Sequence, residues 1–317
     1  MPAQGKCQLR VALVGGFGFI GKHLIDKLAD SYDLIVLSDS EGAKNAPHLG
    51  SGKQPIVEVG DIVNEEWVKD VMLRYSPDVA VHLAALTGVK KCNDNPSLAF
   101  SVNVLGTYYV IMGCVACRCR LIFMSSREVY GETGSHRARE DDPLAPNNIY
   151  GVTKMLAERL ITWAASKHNL DHTILRLTNV YGPGGDQYNV QAMIRSAISQ
   201  GGIHIMGGTQ RMNLTYVEDV AEIIAKCLRN PRASHEIFNV GSKDNIVVEE
   251  LVTKLISSLG IPVQIERKPM RLGETLDFQP DLDKMERTFG EYPRTTLNEG
   301  LQKTIRWYRN QSQGSAI

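Results

Sequence analysis

The chain has 317 residues, 43% of them apolar and 22% charged, with 35 Lys and Arg balanced by 35 Asp and Glu. That composition is ordinary for a globular protein of one large domain or two interleaved ones. A net charge of zero argues against nucleic-acid and membrane-surface binding, both of which favour a basic excess. No apolar run approaches the ~18 residues of a membrane span, and the opening "MPAQGKCQLR" has no apolar signal core, so a cytoplasmic location is expected.

"LRVALVGG" is a short apolar run ending in glycines, and "FIGKHLIDKLADS" is apolar at helical spacing. This predicts strand, turn, helix. "YDLIVLSDS" and "IVEVGDI" predict a second and third strand, "EEWVKDVMLRYS" a helix, and "DVAVHLAAL" a fourth strand. "NPSLAFSVNVLGTYYVIMGCVA" predicts one long helix and "RLIFMSS" a fifth strand. "NIYGVTKMLAERLITWAASKH" predicts a helix and "HTILRLTNV" a sixth strand. Strands of nearly unbroken Val, Ile and Leu alternating with helices mean an α/β protein with a parallel sheet covered on both faces.

Beyond residue 180 the rhythm changes. "YGPGGDQYN" is a Gly-rich loop, "VQAMIRSAISQ" a helix, "IHIMG" a short strand, "YVEDVAEIIAKCLRN" a helix and "EIFNVGS" a strand. "VVEELVTKLISSLG" and "LNEGLQKTIRWYRNQ" predict two more helices. The expected division is residues 1–178, with returning segments near 213–241, and a smaller α/β lobe over 179–317. Cys114, Cys117 and Cys119 form C-x-x-C-x-C, but no fourth Cys or His stands near. A closed zinc site needs four ligands, so no metal is expected. Cys7, Cys92 and Cys227 are scattered, and a reduced chain fits better than a disulfide framework.

Gly15, Gly18 and Gly21 form G-x-x-G-x-x-G between the first strand and helix. Only glycine brings backbone cheaply against a pyrophosphate, and the helix that follows, opening with Phe19 and Ile20, offers free N–H groups. Asp39, with Ser40, ends the second strand, where an acid takes the ribose hydroxyls of a dinucleotide. A carboxylate there repels a 2′-phosphate, so NAD is expected rather than NADP. Asp61 and Ile62 follow the third strand and would reach the adenine. Leu83, Ala84 and Ala85 place small or apolar residues where a cofactor would lie. Tyr150 and Lys154 stand four apart on one helix face. A phenol is a poor base at neutral pH; an ammonium one turn away favours the phenolate. Ser126 ends a strand, at the edge where open α/β sheets bind ligands.

These residues, with "NPSLAFSVNVLGT", "MSSREVYG", "LRLTNVYGPG", "TYVEDVAE" and "RLGET", resemble the extended short-chain dehydrogenases/reductases, in the group of NAD-dependent nucleotide-sugar epimerases and dehydratases. The resemblance spans residues 10 to 308. It implies a Rossmann-type doubly wound sheet, tightly bound NAD, a nucleoside diphosphate sugar in the C-terminal lobe, and a homodimer through the helices near 100–115 and 150–166. It assigns proton transfer at a sugar hydroxyl to Tyr150, a hydrogen bond to the same oxygen to Ser126, and the nicotinamide ribose to Lys154. It places Asn103 and Ser125 beside the cofactor. Thr87, Asn179, Arg211 and Arg271 become candidate substrate contacts. The family often carries Arg-Asp-Phe where this chain has Met212, Asn213 and Leu214, which shifts the expected phosphate grip toward Arg271.

The reaction turns on Ser126-Arg127-Glu128. Related dehydratases carry Thr-Asp-Glu or Thr-Ser-Glu there, with the Glu as C5 base; Glu128 matches it. Arg127 does not match the Asp acid, since a guanidinium is a poor proton donor. In a decarboxylase an Arg could hold the substrate carboxylate. On an extended strand end Ser126 and Glu128 would share one side and Arg127 the other, near Glu140, Asp141 and Asp142. An epimerase acting through a transient 4-keto sugar needs fewest special groups and is the preferred expectation. A 4,6-dehydratase, a uronic-acid decarboxylase, a 4-ketoreductase and a non-catalytic dinucleotide-binding protein remain alternatives.

Overall fold

The computed structural model describes residues 8–44, 53–185, 189–243, 245–270, 273, 275–290 and 295–314. In chain order the first part holds β1 (Arg10–Val14), α1 (Phe19–Leu28), β2 (Asp33–Ser38), α2 (Ser40–Lys44), β3 (Ile56–Val59), α3 (Glu65–Tyr75), β4 (Val79–His82), α4 (Val89–Asp94), α5 (Pro96–Phe100), α6 (Thr107–Cys117), β5 (Arg120–Ser126), β6 (Arg137–Ala138), α7 (Ile149–His168) and β7 (His172–Leu177). Then come β8 (Asn179–Tyr181), α8 (Asn189–Gln200), β9 (Gly202–Met206), β10 (Arg211–Tyr216), α9 (Val217–Arg229), β11 (Glu236–Val240), β12 (Asn245–Val247), α10 (Val248–Leu259), β13 (Gln264–Lys268), β14 (Gln279–Pro280), α11 (Asp283–Phe289) and α12 (Leu297–Gly314).

Among the described residues, seven parallel strands form one sheet in the order β11-β7-β5-β4-β1-β2-β3. The fold is a Rossmann-type α/β sheet. Its strands other than the edge strand β3, where Ile56, Val57 and Val59 are exposed, are largely buried on both faces, which explains their unbroken apolar runs. Leu13, Val36, Ile122 and Leu175 face α1 and α9, where Leu24, Ile25, Val220 and Ile224 meet them. Ala12, Ile35, Leu121 and Phe123 face the other way, toward Val68, Met72, Val110 and Ile161 of α3, α6 and α7. Each such fully buried Leu, Ile or Val contributes about 1.5–3 kcal/mol of transfer free energy. Strand order reverses between β1 and β4, so their carboxyl ends open a crevice where ligands bind in sheets of this kind.

Three expectations need correction. "HTILRLTNV" is two strands: β7 belongs to the large sheet and β8 pairs with β10. Thr178 sits at the crossing, its N–H donating to Val240 O at 3.0 Å and its hydroxyl meeting Thr215 Oγ1 at 2.7 Å. The long helix over 96–117 contains a six-residue π-helical stretch, Ser101–Gly106, between α5 and α6. That same helix is long and apolar enough by composition to cross a membrane. Here its apolar side chains, Val110 and Ile111 among them, pack in the sheet's helical layer, and it contacts α3 and α7.

Short strands β8, β10 and β12 form one small sheet and β9 pairs with β13. With α8, α10 and α12 they enclose a separate core of Ile194, Ile203, Leu214, Leu251, Leu255, Leu301 and Ile305. The sequence predicts no strand at β13 or β10: β13 is exposed along its length, and β10 interleaves Met212, Leu214 and Tyr216 with the polar Asn213 and Thr215, which are buried too.

Candidate active site

At the crevice, Gly15 has φ of +80°, and a Cβ there would lie 2.6 Å from Ala84 N. A Cβ on Gly21 would lie 2.2 Å from Gly16 O, so the first turn of α1 can close on the loop only with no side chain at that position. The loop is held by Gly15 N to Leu37 O at 2.7 Å and Gly18 N to Gly15 O at 3.0 Å. Gly18 is the N-cap of α1 and brings no side chain to its first-turn amides. This is an anion cradle at a helix N-terminus. Phe19 and Ile20 are half-buried beside it, and His23 Nε2 meets Pro183 O at 2.9 Å, tying the loop after β8 to α1. Leu83 and Ala84 N–H groups donate to Val14 O at 2.8 and 2.9 Å, which brings Ala84 and Ala85 to the crevice wall.

Asp39 follows β2 directly and is exposed, as is Ser40. Asp39 Oδ1 accepts from Gly42 N at 2.6 Å, steadying α2. Asp61 is exposed and accepts from Val63 N at 3.0 Å. Ile62 is buried against Gly106, where a Cβ would lie 2.8 Å from the Ile62 side chain.

β5 delivers Ser126 to the same sheet edge, 7% exposed. Strand geometry stops there: Arg127–Val129 forms a 3-10 turn. Ser126 Oγ accepts from Glu128 N at 3.2 Å. The expected alternation of Arg127 and Glu128 therefore fails, because a tight turn has no period of two. Arg127 does not pair with Glu140, Asp141 or Asp142. Its guanidinium lies 2.8 Å from Glu128 Oε1 and 5.4 Å from the centre of the Phe278 ring. Glu128 Oε2 accepts from Asn148 Nδ2 at 2.8 Å, so both carboxylate oxygens are engaged.

Asn148 caps α7, its Oδ1 accepting from Gly151 N at 2.9 Å. Tyr150, half-buried, and Lys154 follow on the first two turns. Lys154 Nζ donates to Met124 O at 2.8 Å and lies 4.7 Å from the Phe123 ring centre and 6.0 Å from that of Tyr150. Burial pulls its pKa down to about 8, against an upward pull from Cys92 and Glu158. His82, fully buried at the end of β4, is held down to about 3 by burial and by the Lys154 charge.

Beneath these lies a network that sequence reasoning missed. Ser125 Oγ donates to Glu158 Oε1 at 2.5 Å, so its side chain faces α7 rather than the crevice. Arg176 grips Glu158 through Nε at 3.0 Å and Nη2 at 2.7 Å. Arg176 also donates to Tyr130 OH at 2.7 Å, and that hydroxyl donates to Asn239 Oδ1 at 2.7 Å. The signal available was a charge inside an apolar strand, "HTILRL", and a Glu four residues beyond Lys154. Asn103 is 1% exposed and holds Leu86 N at 2.7 Å and Thr153 Oγ1 at 3.0 Å. It fastens the loop after β4 to α7.

On the substrate side, Thr87 is half-buried. Asn179 Nδ2 donates to Asn213 O at 3.3 Å. Arg211 is half-exposed, 3.9 Å from Asp277 Oδ1, and Met212 is buried. Arg271 lies outside the described residues. Cys114 and Cys119 are buried and Cys117 half-buried, at the end of β5 away from Ser126.

The family model described as "NAD dependent epimerase/dehydratase family" matches residues 11–241. The chain is 29% identical over 315 residues to a UDP-glucose 4-epimerase of Mycolicibacterium smegmatis, covering 96% of this chain and 100% of that one. It is 28% identical over 316 residues to a dTDP-D-glucose 4,6-dehydratase of Bos taurus, covering 95% and 88%. A UDP-glucose 4-epimerase of Thermotoga maritima, solved with UDP-glucose, superposes with a TM-score of 0.86 at 27% identity, over 96% of this chain and 100% of that one. NAD is the cofactor of such proteins, and the glycine cradle of α1 fits its pyrophosphate. The crevice, its cradle and these likenesses lead to one conclusion: the chain belongs to the NAD-dependent epimerase/dehydratase family.

Proposed function

We propose that the protein is an NAD-dependent nucleotide-sugar epimerase that inverts C4 of a nucleoside diphosphate hexose through a transient 4-keto sugar. The observation that carries this reading is the state of Glu128. One of its oxygens is ion-paired with Arg127 and the other accepts from Asn148, and the position before it holds an arginine where an acid-assisted dehydratase needs a proton donor. That leaves Ser126, Tyr150 and Lys154, which suffice for epimerisation.

When bound, NAD supplies the hydride acceptor and then the hydride donor. Tyr150 takes the proton of the C4 hydroxyl as the ketone forms and returns it once the ketone has presented its other face. Lys154, a buried cation one turn on, favours the phenolate electrostatically. Ser126 Oγ accepts from Glu128 N and so keeps its hydroxyl hydrogen for the substrate oxygen. Residues 1–178, joined by α9 and β11, hold NAD, through Gly15, Gly18, Gly21, Asp39 and Asp61. Residues 179–317 hold the nucleotide, through Asn179, Arg211 and Arg271. A second copy of the chain covers Leu98, Phe100, Leu105 and Trp163, which are 51%, 39%, 43% and 41% exposed on the helices over 96–117 and on α7. The second reading, a 4,6-dehydratase with Glu128 as C5 base, is favoured by the placement of that carboxylate two residues from Ser126.

Incubation with a panel of UDP- and dTDP-sugars separates the two. An isomer of unchanged mass supports the epimerase; loss of water or of carbon dioxide overturns it. Glu128→Gln should keep turnover within about tenfold, whereas removing a general base costs about 10²–10⁴-fold.

A further inference from the structure

Asn148 makes more contacts than a helix cap requires. Its Oδ1 accepts from Gly151 N at 2.9 Å. Its Nδ2 faces three oxygens: Glu128 Oε2 at 2.8 Å, Asn147 Oδ1 at 3.0 Å and Gly273 O at 3.1 Å. The amide can sit only one way round, since flipping it would set an oxygen against three oxygens and an N–H against an N–H. The residue is 6% exposed, and its contacts to Glu128 and Gly151 are buried, where an unpaired partner costs most.

The three groups held by this amide come from distant parts of the chain. Gly151 opens the helix that carries Tyr150 and Lys154. Glu128 belongs to the turn that follows Ser126. Gly273 stands two residues beyond Arg271, in the segment proposed to grip the diphosphate. Leu276 and Phe278, further along the chain, lie on the same seam. Leu276 N donates to Glu132 Oε1 at 2.8 Å, Arg211 N donates to Leu276 O at 2.9 Å, and Phe278 lies under the Arg127 guanidinium and beside Tyr130 at 5.7 Å. The Glu128 turn is itself pressed on α7, where a Cβ on Gly151 would lie 2.3 Å from Glu128 O.

We propose that Asn148 is a positioning residue: its amide couples occupation of the diphosphate segment around Gly273 to the placement of the α7 N-terminus that presents Tyr150. Arg127 and Glu128 complete the same relay by bracing the amide from Phe278. This rests on the nucleotide-sugar reading above and adds a route from the phosphate grip to the reacting oxygen. Ser and Asp are also good N-caps, so helix capping and coupling can be separated. Asn148→Ser keeps an oxygen for Gly151 N and removes the donor to Glu128 and Gly273. Asn148→Asp with Glu128→Gln restores a donor and an acceptor across the Asn148–Glu128 contact, in exchanged places.

The experiment measures UDP and dTDP binding, amide exchange over residues 149–156 with and without the nucleotide, and kcat and KM for the turned-over sugar. In the wild type, nucleotide should slow exchange at the start of α7. In N148S that protection should vanish, and nucleotide-sugar affinity should fall about 5- to 150-fold, the usual size of a coupling between sites, with bound NAD unchanged and the melting temperature lowered only by the few degrees that one unpaired buried oxygen costs. The N148D/E128Q double variant restores the bond to residue 128 but sets a carboxylate oxygen against Gly273 O, so the protection should stay lost although the α7 cap is kept. Wild-type protection and affinity in N148S would overturn the proposal, as would loss of activity accompanied by loss of NAD or of folding. If the wild type binds neither nucleotide and turns over no nucleotide sugar, the functional reading fails and takes the proposal with it; if only N148S is unaltered, the proposal fails alone.

Discussion

Replacing Lys154 with Met should give an inactive protein that is more stable than its parent at neutral pH. The Lys154 side chain is 3% exposed, and burial lowers its pKa from 10.5 to about 8. Below about 8 it is protonated in the folded and the unfolded chain alike, so the folded state bears the full penalty of a buried charge. Between about 8 and 10.5 the unfolded chain binds the proton and the folded chain does not, so stability climbs with pH. Linkage then puts the penalty at about 3 kcal/mol at pH 7 and about 2 kcal/mol at pH 9. Methionine has a similar length and no charge to desolvate. Losing the bond to Met124 O offsets about 1 kcal/mol of the gain. K154M without NAD should therefore exceed the wild type by about 2 kcal/mol at pH 7 and by about 1 kcal/mol at pH 9. Urea midpoints of both proteins across that range, compared at equal m-values, read this directly. A Met variant less stable at pH 7, or one whose advantage grows with pH, would refute the reasoning.

Tyr150→Phe should retain bound NAD and lose turnover by about 10²–10⁴-fold; a fully active Phe variant would remove Tyr150 from proton transfer. Gly15→Ala places a Cβ 2.6 Å from Ala84 N at a φ of +80°; the strain of about 1–2 kcal/mol should lower the melting temperature, and purified protein should carry little NAD. Arg176→Met leaves the Glu158 carboxylate buried without its cation, a loss of about 3–5 kcal/mol in denaturant unfolding. Adding Glu158→Leu to it should restore most of that stability. Leu98→Glu with Leu105→Glu should halve the mass seen in sedimentation if these side chains lie in a dimer seam, and an unchanged mass would place the seam elsewhere.

The sheet was legible because its strands are nearly pure Val, Ile and Leu and its first turn is glycine at fixed spacing. The cradle at Gly15, the edge position of Ser126 and the spacing of Tyr150 and Lys154 follow from local pattern alone. What was not legible depends on contacts between distant residues. Nothing in "MSSREVYG" announces that extended backbone ends at Ser126, since the turn is held by Ser126 Oγ and by α7 pressing on Glu128 O. The pairing of Glu158 with Arg176 joins a helix to a strand, and neither residue names the other. The π-helical stretch over Ser101–Gly106 is equally silent, because one wide turn leaves the apolar count of a helix unchanged. In each case the sequence shows a polar residue in an apolar setting, and only the fold supplies its partner.

The order of strands in the large sheet has a consequence in time. β7 is complete at Leu177, yet its outer neighbour β11 spans Glu236–Val240, and α9, which covers the apolar side chains of α1, lies between them in sequence. At the usual pace of synthesis, on the order of 5–20 residues per second, a growing chain spends roughly 3–12 s with β7 made and β11 not yet translated. During that interval Thr173 to Leu177 present an unpaired strand edge, and Leu24, Ile25 and Leu28 lack their cover. The nascent protein thus passes through a phase of exposed edge and exposed helix face, the state most open to association with its own kind. Slow translation across residues 178–240 would lengthen that exposure, and the yield of soluble protein should fall accordingly.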